Sequence, residues 1–416
     1  MAYLYVLQKL LVSLIILTIF PSLTLSTTLQ TNYITQNLSA EDYFKRGKKK
    51  QDDGNLQDAI LEYTQAIRLN PNFFKPYHNR GIAKSELGDK KGAIEDYTQS
   101  IRINSNFAET YYNRGNAKSD LGDYKGAITD YTQSIRLDSN DFASYMNRSF
   151  AFYKISKYKS AIEDANQGIK ISPESSIAYL TRANARGKLG DKRGAISDYN
   201  KAISLNSEDS NNYFSRGNFK RDNGDFKGAL ADFNYSIRLN PDDADIYINR
   251  GNVKRILNDL SGAIVDYNQA AKLNPIDSDI YYNRGRTMVM LNNYQAAVQD
   301  FSHVIKLNQN DINAYISLGN TKLHLGNQQI GISRNSYLND AIAAYNQAIK
   351  LNPNDAIGYY NRATAYANLC NAQEADKDFN RAAKLYLAQG KNKDYQEVLS
   401  RLKELKIFVA QCLIKQ

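Results

Sequence analysis

A five-residue string recurs along the chain at a fixed spacing, and this spacing limits the folds that the chain can adopt. The string Tyr-x-Asn-Arg-Gly begins at Tyr77 and Tyr111, 34 residues apart, and again at Tyr247 and Tyr281 with the same spacing. Close variants begin at Tyr43, Tyr145, Tyr179, Tyr213, Tyr315 and Tyr359. A period of this length is typical of helical hairpins that hide their apolar faces only by stacking on one another. The sequence therefore predicts an elongated repeat array with a continuous core.

The spacing divides residues 40–389 into ten repeats. Their bounds are 40–73, 74–107, 108–141, 142–175, 176–209, 210–243, 244–277, 278–311, 312–355 and 356–389. In nine repeats an alanine follows the tyrosine by sixteen residues, whereas in the ninth repeat Ala341 comes ten residues late. An insertion is therefore predicted at 327–339. It is interpreted either as a loop that contacts a specific partner or as a disordered surface insertion.

Each repeat divides into two helical patterns, here called helix A and helix B, around a turn such as Leu87-Gly88-Asp89. Helix A has tyrosine at repeat position 4 and a small residue at position 8. Helix B has alanine at position 20, usually an aromatic residue at 24 and a small residue at 27. Spacings of three and four place these residues on one helical face, where small residues let the two backbones approach. Several repeats close with Asn-Pro, as at Asn70-Pro71, and proline cannot continue a helix.

The length of the repeat and its small and aromatic positions resemble the tetratricopeptide repeat family over about 350 residues, and the Tyr-x-Asn-Arg-Gly style is similar to bacterial, cyanobacterial-like members. The resemblance implies an all-α, right-handed α-solenoid of ten hairpins whose A helices line a concave groove. Residues 390–416 are predicted to form a capping helix, because Val398, Leu402 and Leu405 fall on one face.

Arginine stands at position 7 of nine repeats, where the family usually has an aliphatic residue, and position 23 is acidic in the same nine. The pairs are Arg46 with Glu62, Arg80 with Asp96, Arg114 with Asp130, Arg148 with Asp164, Arg182 with Asp198, Arg216 with Asp232, Arg250 with Asp266, Arg284 with Asp300, and Arg362 with Asp378. The ninth repeat has Leu318 and Ala344, so both partners are absent together. A half-buried ion pair explains this, because loss of one partner strands the other. Each pair is predicted to join helices A and B of one repeat, or helix B to the next helix A.

The formal net charge of +10 raises the question of nucleic-acid binding. The position-7 arginines are neutralised by their predicted partners, and further basic residues occupy the last turn of most B helices, where they meet the negative end of the helix dipole. No nucleic acid is therefore expected as a partner. The chain has two cysteines, Cys370 and Cys412, which exclude a four-thiolate zinc site. A single bridge between them is open, and no sequence pattern points to it.

The N-terminus has the layout of a secretory signal. An apolar run from Leu10 to Phe20 follows Lys9 and ends at Pro21, and Ser26 offers a small-residue cleavage site. Residues 1–26 are predicted to be a signal peptide, or a membrane anchor that uses residues 4–20, and 27–39 a polar linker. The chain is accordingly expected to be exported to a periplasmic, lumenal or extracellular compartment or tethered to the membrane, which it contacts through this segment only.

No catalytic constellation is recognisable in the repeats. His78, His303 and His324 lie in different repeats and at different repeat positions, so neither metal-ligand nor triad spacing arises. The carboxylates follow the repeat and form no isolated acid–base pair. The sequence is therefore interpreted as that of a protein that is not an enzyme, with no catalytic residues, no metal site and no cofactor.

Asparagines recur at the helix-A positions that the family resemblance places on the concave side, which are positions 2, 5, 6, 9, 12 and 13. The predicted groove residues are Asn79, Asn113, Asn116, Asn147, Asn184, Asn218, Asn249, Asn252, Asn283, Asn320 and Asn361. An amide both donates and accepts hydrogen bonds, so a row of amides can bind a peptide backbone. The row resembles the asparagine ladder of O-linked N-acetylglucosamine transferases, although their catalytic domain is absent here. The alternative is that these residues only keep the helices soluble.

The sequence thus predicts a non-catalytic protein–protein interaction scaffold that binds extended segments or helices of partner proteins in its groove. Lysine and asparagine do not recur at the positions that the chaperone carboxylate clamp of this family requires, so that mode is not supported. A self-assembling structural array, formed by self-association, is the main alternative. A carbohydrate or nucleic-acid binder is a weaker alternative, for which binding to polyanions would depend on salt.

Overall fold

The structure, a computed structural model, describes residues 38–414, and for 406 and 408–414 it describes the backbone alone. The described residues form twenty-one α-helices and no strand. In chain order they are α1 (Ala40–Asp52), α2 (Leu56–Leu69), α3 (Phe74–Glu86), α4 (Lys90–Ile103), α5 (Ala108–Asp120), α6 (Tyr124–Leu137), α7 (Phe142–Lys154), α8 (Tyr158–Ile171), α9 (Ser176–Lys188), α10 (Lys192–Leu205), α11 (Ser210–Asp222), α12 (Phe226–Leu239), α13 (Ala244–Ile256), α14 (Leu260–Leu273), α15 (Ser278–Met290), α16 (Tyr294–Leu307), α17 (Ile312–Asn327), α18 (Gly331–Leu351), α19 (Ala356–Asn368), α20 (Ala372–Ala388) and α21 (Asn392–Ile414). Helices A and B alternate as predicted, which gives an all-α solenoid of ten hairpins followed by a final helix.

The chain divides into two compact bodies. The first body ends at Lys201 and the second begins at Ala202. Within each body, consecutive helices pack against one another, and most A helices also contact the A helix of a neighbouring repeat. The repeat-by-repeat burial predicted from the 34-residue period is therefore present in both bodies.

The turn between helices A and B follows from its Leu-Gly-Asp sequence. Gly88 adopts a φ of 88°, which lies in the left-handed region that glycine enters without steric cost. The carboxylate of Asp89 then accepts a hydrogen bond of 2.9 Å from the backbone amide of Gly92 and caps α4. Ser156, Asn258, Asn292 and Cys370 take the same left-handed conformation in other repeats.

The core consists of aromatic rings from helices B that pack against small residues of helices A. Tyr131 is 1% exposed, and a Cβ added at Gly115 would lie 2.7 Å from its ring. The aromatic residues at position 24 of other repeats are equally covered, among them Tyr63, Tyr97, Phe233, Tyr267, Phe301 and Tyr345. Position 8 is thus small because the ring of position 24 occupies the space that a side chain would need.

All nine predicted ion pairs are present, and each joins helices A and B of the same repeat. Their N–O distances run from 2.6 to 2.7 Å. Arg114 shows the arrangement, because two of its nitrogens donate to the two carboxylate oxygens of Asp130 at 2.9 and 2.7 Å. Its third nitrogen donates to Thr98 of the preceding repeat at 3.1 Å. The arginine therefore connects repeats as well as helices, which the sequence analysis did not anticipate.

A second cation joins the acidic residue in five repeats. Lys118, one helical turn after Arg114, lies 2.7 Å from the other oxygen of Asp130. The corresponding pairs elsewhere are Lys84 with Asp96, Arg186 with Asp198, Lys220 with Asp232, and Lys254 with Asp266. In the fourth repeat Phe152 replaces this cation, and burial raises the pKa of Asp164 against the opposing effect of Arg148. Most of the excess basic charge on helix A is thus engaged inside the scaffold.

The interpretation of 327–339 as a loop was wrong. The added residues lengthen the two helices of the ninth repeat, so that α17 has 16 residues and α18 has 21, where most A helices have 13 and most B helices 14. Leu338 is fully buried, and Arg334 donates to the backbone oxygen of Asn368 at 3.0 Å. Because these contacts bury the extension on one side, the sequence forms helix where the spacing alone indicated an interruption.

The final helix, α21, caps the array as predicted. Val398 and Leu405 are 0% and 5% exposed and pack with Leu402 against the last repeat. Tyr360 of α19 donates a hydrogen bond of 2.8 Å to Glu397. The apolar face that the tenth repeat would leave open is therefore covered.

Cys370 bears on the bridge that the sequence analysis left open. It is disulfide-bonded in the structure, although no sequence pattern indicated a bridge. The sequence contains one other cysteine, Cys412.

None of the helices in the described part of the chain is both long and apolar enough to cross a bilayer. The predicted signal peptide or anchor, residues 1–26, and most of the linker 27–39 lie outside the described residues.

Candidate partner-binding pockets

Three of the predicted groove asparagines meet in one pocket of the first body. This cavity of about 580 Å³, here called the first-body pocket, lies across the second, third and fourth repeats. Its lining is Ile82, Ser85, Glu86, Lys90, Tyr97, Glu109, Asn113, Asn116, Ser119, Asp120, Tyr131, Asn147 and Phe150. Most of these residues occupy positions 2, 6, 9, 12 and 13 of helix A. The helix-A face assigned to the groove from sequence therefore lines a pocket here.

The asparagines of this pocket do not offer equal hydrogen-bonding groups. The amide oxygen of Asn116 accepts from the hydroxyl of Tyr131 at 2.8 Å and from the amide nitrogen of Asn147 at 2.8 Å. The same nitrogen of Asn147 also donates to Tyr112 at 3.2 Å. Asn113 has no such bond among the described residues. Asn113 therefore presents both a donor and an acceptor, Asn116 only its donor, and Asn147 only its acceptor.

The position-9 asparagines have a structural partner that the sequence analysis missed. Wherever helix B supplies a tyrosine at position 24, the asparagine oxygen accepts from its hydroxyl at 2.7 to 2.8 Å, as in Tyr131–Asn116, Tyr199–Asn184, Tyr267–Asn252 and Tyr345–Asn320. In the sixth repeat Phe233 replaces the tyrosine, and the oxygen of Asn218 is buried without a partner. Tyrosine thus occupies one of the two acceptor sites on the oxygen of each of these four asparagines, which the sequence analysis did not anticipate.

The position-6 asparagines outside the first-body pocket also engage local groups. Asn249 and Asn283 donate to backbone oxygens four residues earlier in their own helices, at 2.7 and 2.9 Å. Asn79 donates to Tyr63 at 3.3 Å. Asn361 is half-buried at the corresponding place in α19. The predicted groove asparagines thus differ in their hydrogen-bond partners.

Tyr97 is the exception among the tyrosines at repeat position 24. It is 2% exposed and lines the first-body pocket, yet its hydroxyl has no hydrogen bond to a described residue. The reason is that Ile82 occupies position 9 of this repeat, where an asparagine would accept the bond. Burial raises the pKa of Tyr97, and the nearby Glu86 carboxylate raises it further. The phenol is therefore neutral and can both donate to and accept from a bound group.

The charges around this pocket are predominantly negative. Lys90 lies 2.8 Å from Asp120, which leaves the carboxylates of Glu86 and Glu109 without a lysine or arginine partner in the described part of the chain. The nearest basic group to Glu109 is His78, at 3.8 Å. His78 is buried and hydrogen-bonded to Thr110 at 2.9 Å, and burial lowers its pKa to about 4, so it is neutral at pH 7. The rim thus has an excess of negative charge.

The second body has a pocket at the same helix-A positions. This second-body pocket, of about 390 Å³, spans the eighth and ninth repeats. It is lined by Arg286, Val289, Met290, Tyr294, Phe301, Ser317, Asn320, Thr321 and His324. Arg286 at position 9 replaces the asparagine of the first-body pocket, and no lining residue is acidic. The second-body pocket is therefore more apolar and carries positive charge.

No group of three or more histidine, cysteine, aspartate or glutamate side chains in the described residues has a geometry that could hold a metal ion.

The stacked two-helix repeats place this chain in the class of helical-repeat proteins. Comparisons with known proteins identify the family within this class. Tetratricopeptide repeat patterns match residues 47–88, 83–120, 108–141, 177–209, 217–255, 251–292, 278–311 and 336–369, which together are more than half of the chain. The chain belongs to the tetratricopeptide repeat family. No curated protein matches it.

The solved structures to which this chain is similar have low sequence identity to it. A tetratricopeptide repeat protein from Parabacteroides merdae is 21% identical with a TM-score of 0.53, over 60% of this chain and 98% of its own. The chain is also similar to MamA, at 23% identity and a TM-score of 0.39 over 41% of this chain and 92% of that one. Yeast Tom70 is 15% identical with a TM-score of 0.40, over 88% of this chain and 96% of its own.

Proposed function

We propose that the protein is a non-catalytic scaffold, exported or tethered to a membrane, that binds extended segments of partner proteins along the A helices. The observation that carries the proposal is the use of the same helix-A positions to line a pocket in each body. Pockets that recur on a repeat scaffold suit a ligand that is itself a repeating chain, since a peptide offers one donor and one acceptor per residue.

The amides in the first-body pocket supply the means of binding a backbone. Asn113 can donate and accept, the nitrogen of Asn116 can donate, and the oxygen of Asn147 can accept. Each hydrogen bond of this kind contributes about 0.5–1.5 kcal/mol net. Three such bonds, together with apolar contacts to Ile82 and Phe150, offset part of the cost of ordering a segment.

The location on the far side of a membrane is proposed from two features. The N-terminal sequence has the layout of a secretory signal, and Cys370 is disulfide-bonded. Disulfides persist in oxidising compartments and are rare where thiols are kept reduced. Both features favour a periplasmic, lumenal or extracellular site.

Affinity capture from the native source with residues 27–416, followed by mass spectrometry, identifies the partner. Asn113→Ala is then expected to weaken capture by about two- to tenfold, because one or two hydrogen bonds are lost. Its melting temperature is expected to stay unchanged, since Asn113 bonds to no described residue. Asn140→Ala, in the exposed turn before α7, is the matched control and should capture normally.

Equal capture by Asn113→Ala and wild type would contradict binding in this pocket. Light scattering after size exclusion separates the scaffold from a self-assembling array, for which higher oligomers are expected in the absence of any partner.

A further inference from the structure

We infer that the first-body pocket receives a basic side chain, lysine or arginine, from the bound segment. The inference rests on the proposed function and adds the chemical identity of the residue that the groove selects. It follows from the unpartnered hydroxyl of Tyr97, the two rim carboxylates and the apolar walls.

The hydroxyl of Tyr97 is the first indication that the pocket is completed by a ligand. Five other repeats have tyrosine at position 24, and each of these hydroxyls donates a hydrogen bond: Tyr63 to Gln51, Tyr131 to Asn116, Tyr199 to Asn184, Tyr267 to Asn252 and Tyr345 to Asn320. The rest of the Tyr97 side chain is covered, whereas its hydroxyl is open to the cavity that it lines. Since Ile82 removes the internal acceptor, the oxygen of Tyr97 is left to a group that enters the pocket.

The rim carboxylates give the charge of that group. Glu86 and Glu109 come from adjacent repeats, α3 and α5, and both line the cavity without a lysine or arginine partner in the described residues. Glu109 is 59% exposed, so a ligand can reach it. A carboxylate only accepts hydrogen bonds, and charge-assisted bonds to lysine or arginine are the strongest available to it.

The walls give the shape of the group. Ile82 and Phe150 line the cavity beside the polar groups. Lysine and arginine have aliphatic stems that pack on apolar surface while the charged head contacts polar groups. An ammonium has three donors, which matches the two carboxylates and the tyrosine oxygen as acceptors. A carboxylate or phosphate would instead face Glu86 and Glu109 with like charge.

The test selects random peptides displayed on phage against the full chain and compares wild type with the Glu86→Gln/Glu109→Gln double variant. Wild type is expected to enrich peptides with lysine or arginine at one position of the selected consensus. The double variant is expected to enrich peptides without this preference. Glu95→Gln/Glu163→Gln, which removes the same charge from exposed sites on helices B, is the matched control and should keep the preference.

A second measurement uses one synthetic peptide from the wild-type selection and its counterpart with the basic residue replaced by glutamine. Wild type is expected to bind the basic peptide about tenfold more tightly, because charge-assisted bonds are lost with the glutamine peptide. Tyr97→Phe is expected to lose about two- to tenfold of the affinity for the basic peptide and none for the glutamine peptide.

The outcomes separate the two proposals. Enriched peptides without a basic preference, or a preference that persists in the double variant, would overturn the inference and leave groove binding standing. Failure of wild type to enrich any peptide would overturn both. Equal binding of the two synthetic peptides by wild type would also overturn the inference.

Discussion

The first-body pocket and the second-body pocket use the same positions of the same repeat but present opposite charge. The first has Glu86, Glu109 and an ion-paired Asp120 at its rim, together with hydrogen-bonding amides. The second has Arg286 beside Val289 and Met290, and no acidic lining residue. The difference shows that the repeat fixes which positions face a ligand, whereas the residues placed there decide which ligand is favoured.

The scaffolds beneath the two pockets also differ. In the third repeat Asp130 is held by Arg114 and Lys118, whereas in the eighth repeat Met288 takes the place of the lysine and Asp300 is held by Arg284 alone. The hydrogen bond to Asp300 raises the pKa of Arg284. The eighth repeat thus lacks the second cation of the third repeat. In the ninth repeat Leu318 and Ala344 replace both the arginine and the acidic residue.

The largest expected effect is on these ion pairs. Asp130→Ala is expected to lower the free energy of unfolding of the first body by about 3–5 kcal/mol, because two cations lose their buried partner. Asp300→Ala should cost less, since Arg284 is the one cation that loses its partner. Urea unfolding of the full chain, followed by hydrogen exchange in each body, measures both changes.

The control for this prediction is the double change Arg284→Leu/Asp300→Ala, which copies the ninth repeat. It should be more stable than Asp300→Ala alone, because no charge is left unpaired. If the double variant were less stable than Asp300→Ala, the cost of an unpaired charge would not explain why the ninth repeat lacks both the arginine and the acidic residue.

A change of pH is expected to have a smaller effect on stability, and this effect should differ between the two bodies. His78, in α3 of the first body, is buried, whereas His303 is half-buried and His324 exposed. Burial lowers the pKa of His78 from 6.5 to about 4, so the unfolded chain binds more protons between these values. The stability of the first body should therefore fall as the pH decreases from 6.5 towards 4, by up to about 3 kcal/mol at the lower end.

Hydrogen exchange in α3 and α5 at pH 7 and pH 4.5 measures this loss. His78→Asn should remove most of the pH dependence in the first body, since asparagine does not titrate. An unchanged pH dependence in this variant would assign the effect to other groups.

The smallest effect concerns the tyrosine hydroxyls. Tyr131→Phe is expected to destabilise the first body by about 1 kcal/mol, because Asn116 loses a hydrogen-bond donor. Tyr97→Phe should leave its melting temperature unchanged, since that hydroxyl bonds to no described residue. The second-body pocket already has phenylalanine, Phe301, at this position, with Arg286 in place of the asparagine. Calorimetry compares the two variants, and equal losses would mean that Tyr97 has an internal partner.

Much of the scaffold was predictable because its interactions repeat every 34 residues. The hairpins, the nine ion pairs and the capping face of Val398, Leu402 and Leu405 all appear in the structure at the predicted residues. The prediction of a loop or disordered insertion in the ninth repeat was wrong. A change in spacing shows that residues have been added, but it does not show which conformation they adopt. Burial of Leu338 and the contact of Arg334 with α19 keep those residues helical.

The sequence by itself determined the repeat, its helices and the pairing of arginine with acid, since each depends on residues close in the chain and recurs with one period. The tertiary structure decided which asparagines are available to a ligand, because the tyrosine that occupies the amide oxygen of Asn116 lies in the other helix of the hairpin. It also decided the charge of the first-body pocket, because Glu86 and Glu109 lie in different repeats and meet only when the hairpins stack.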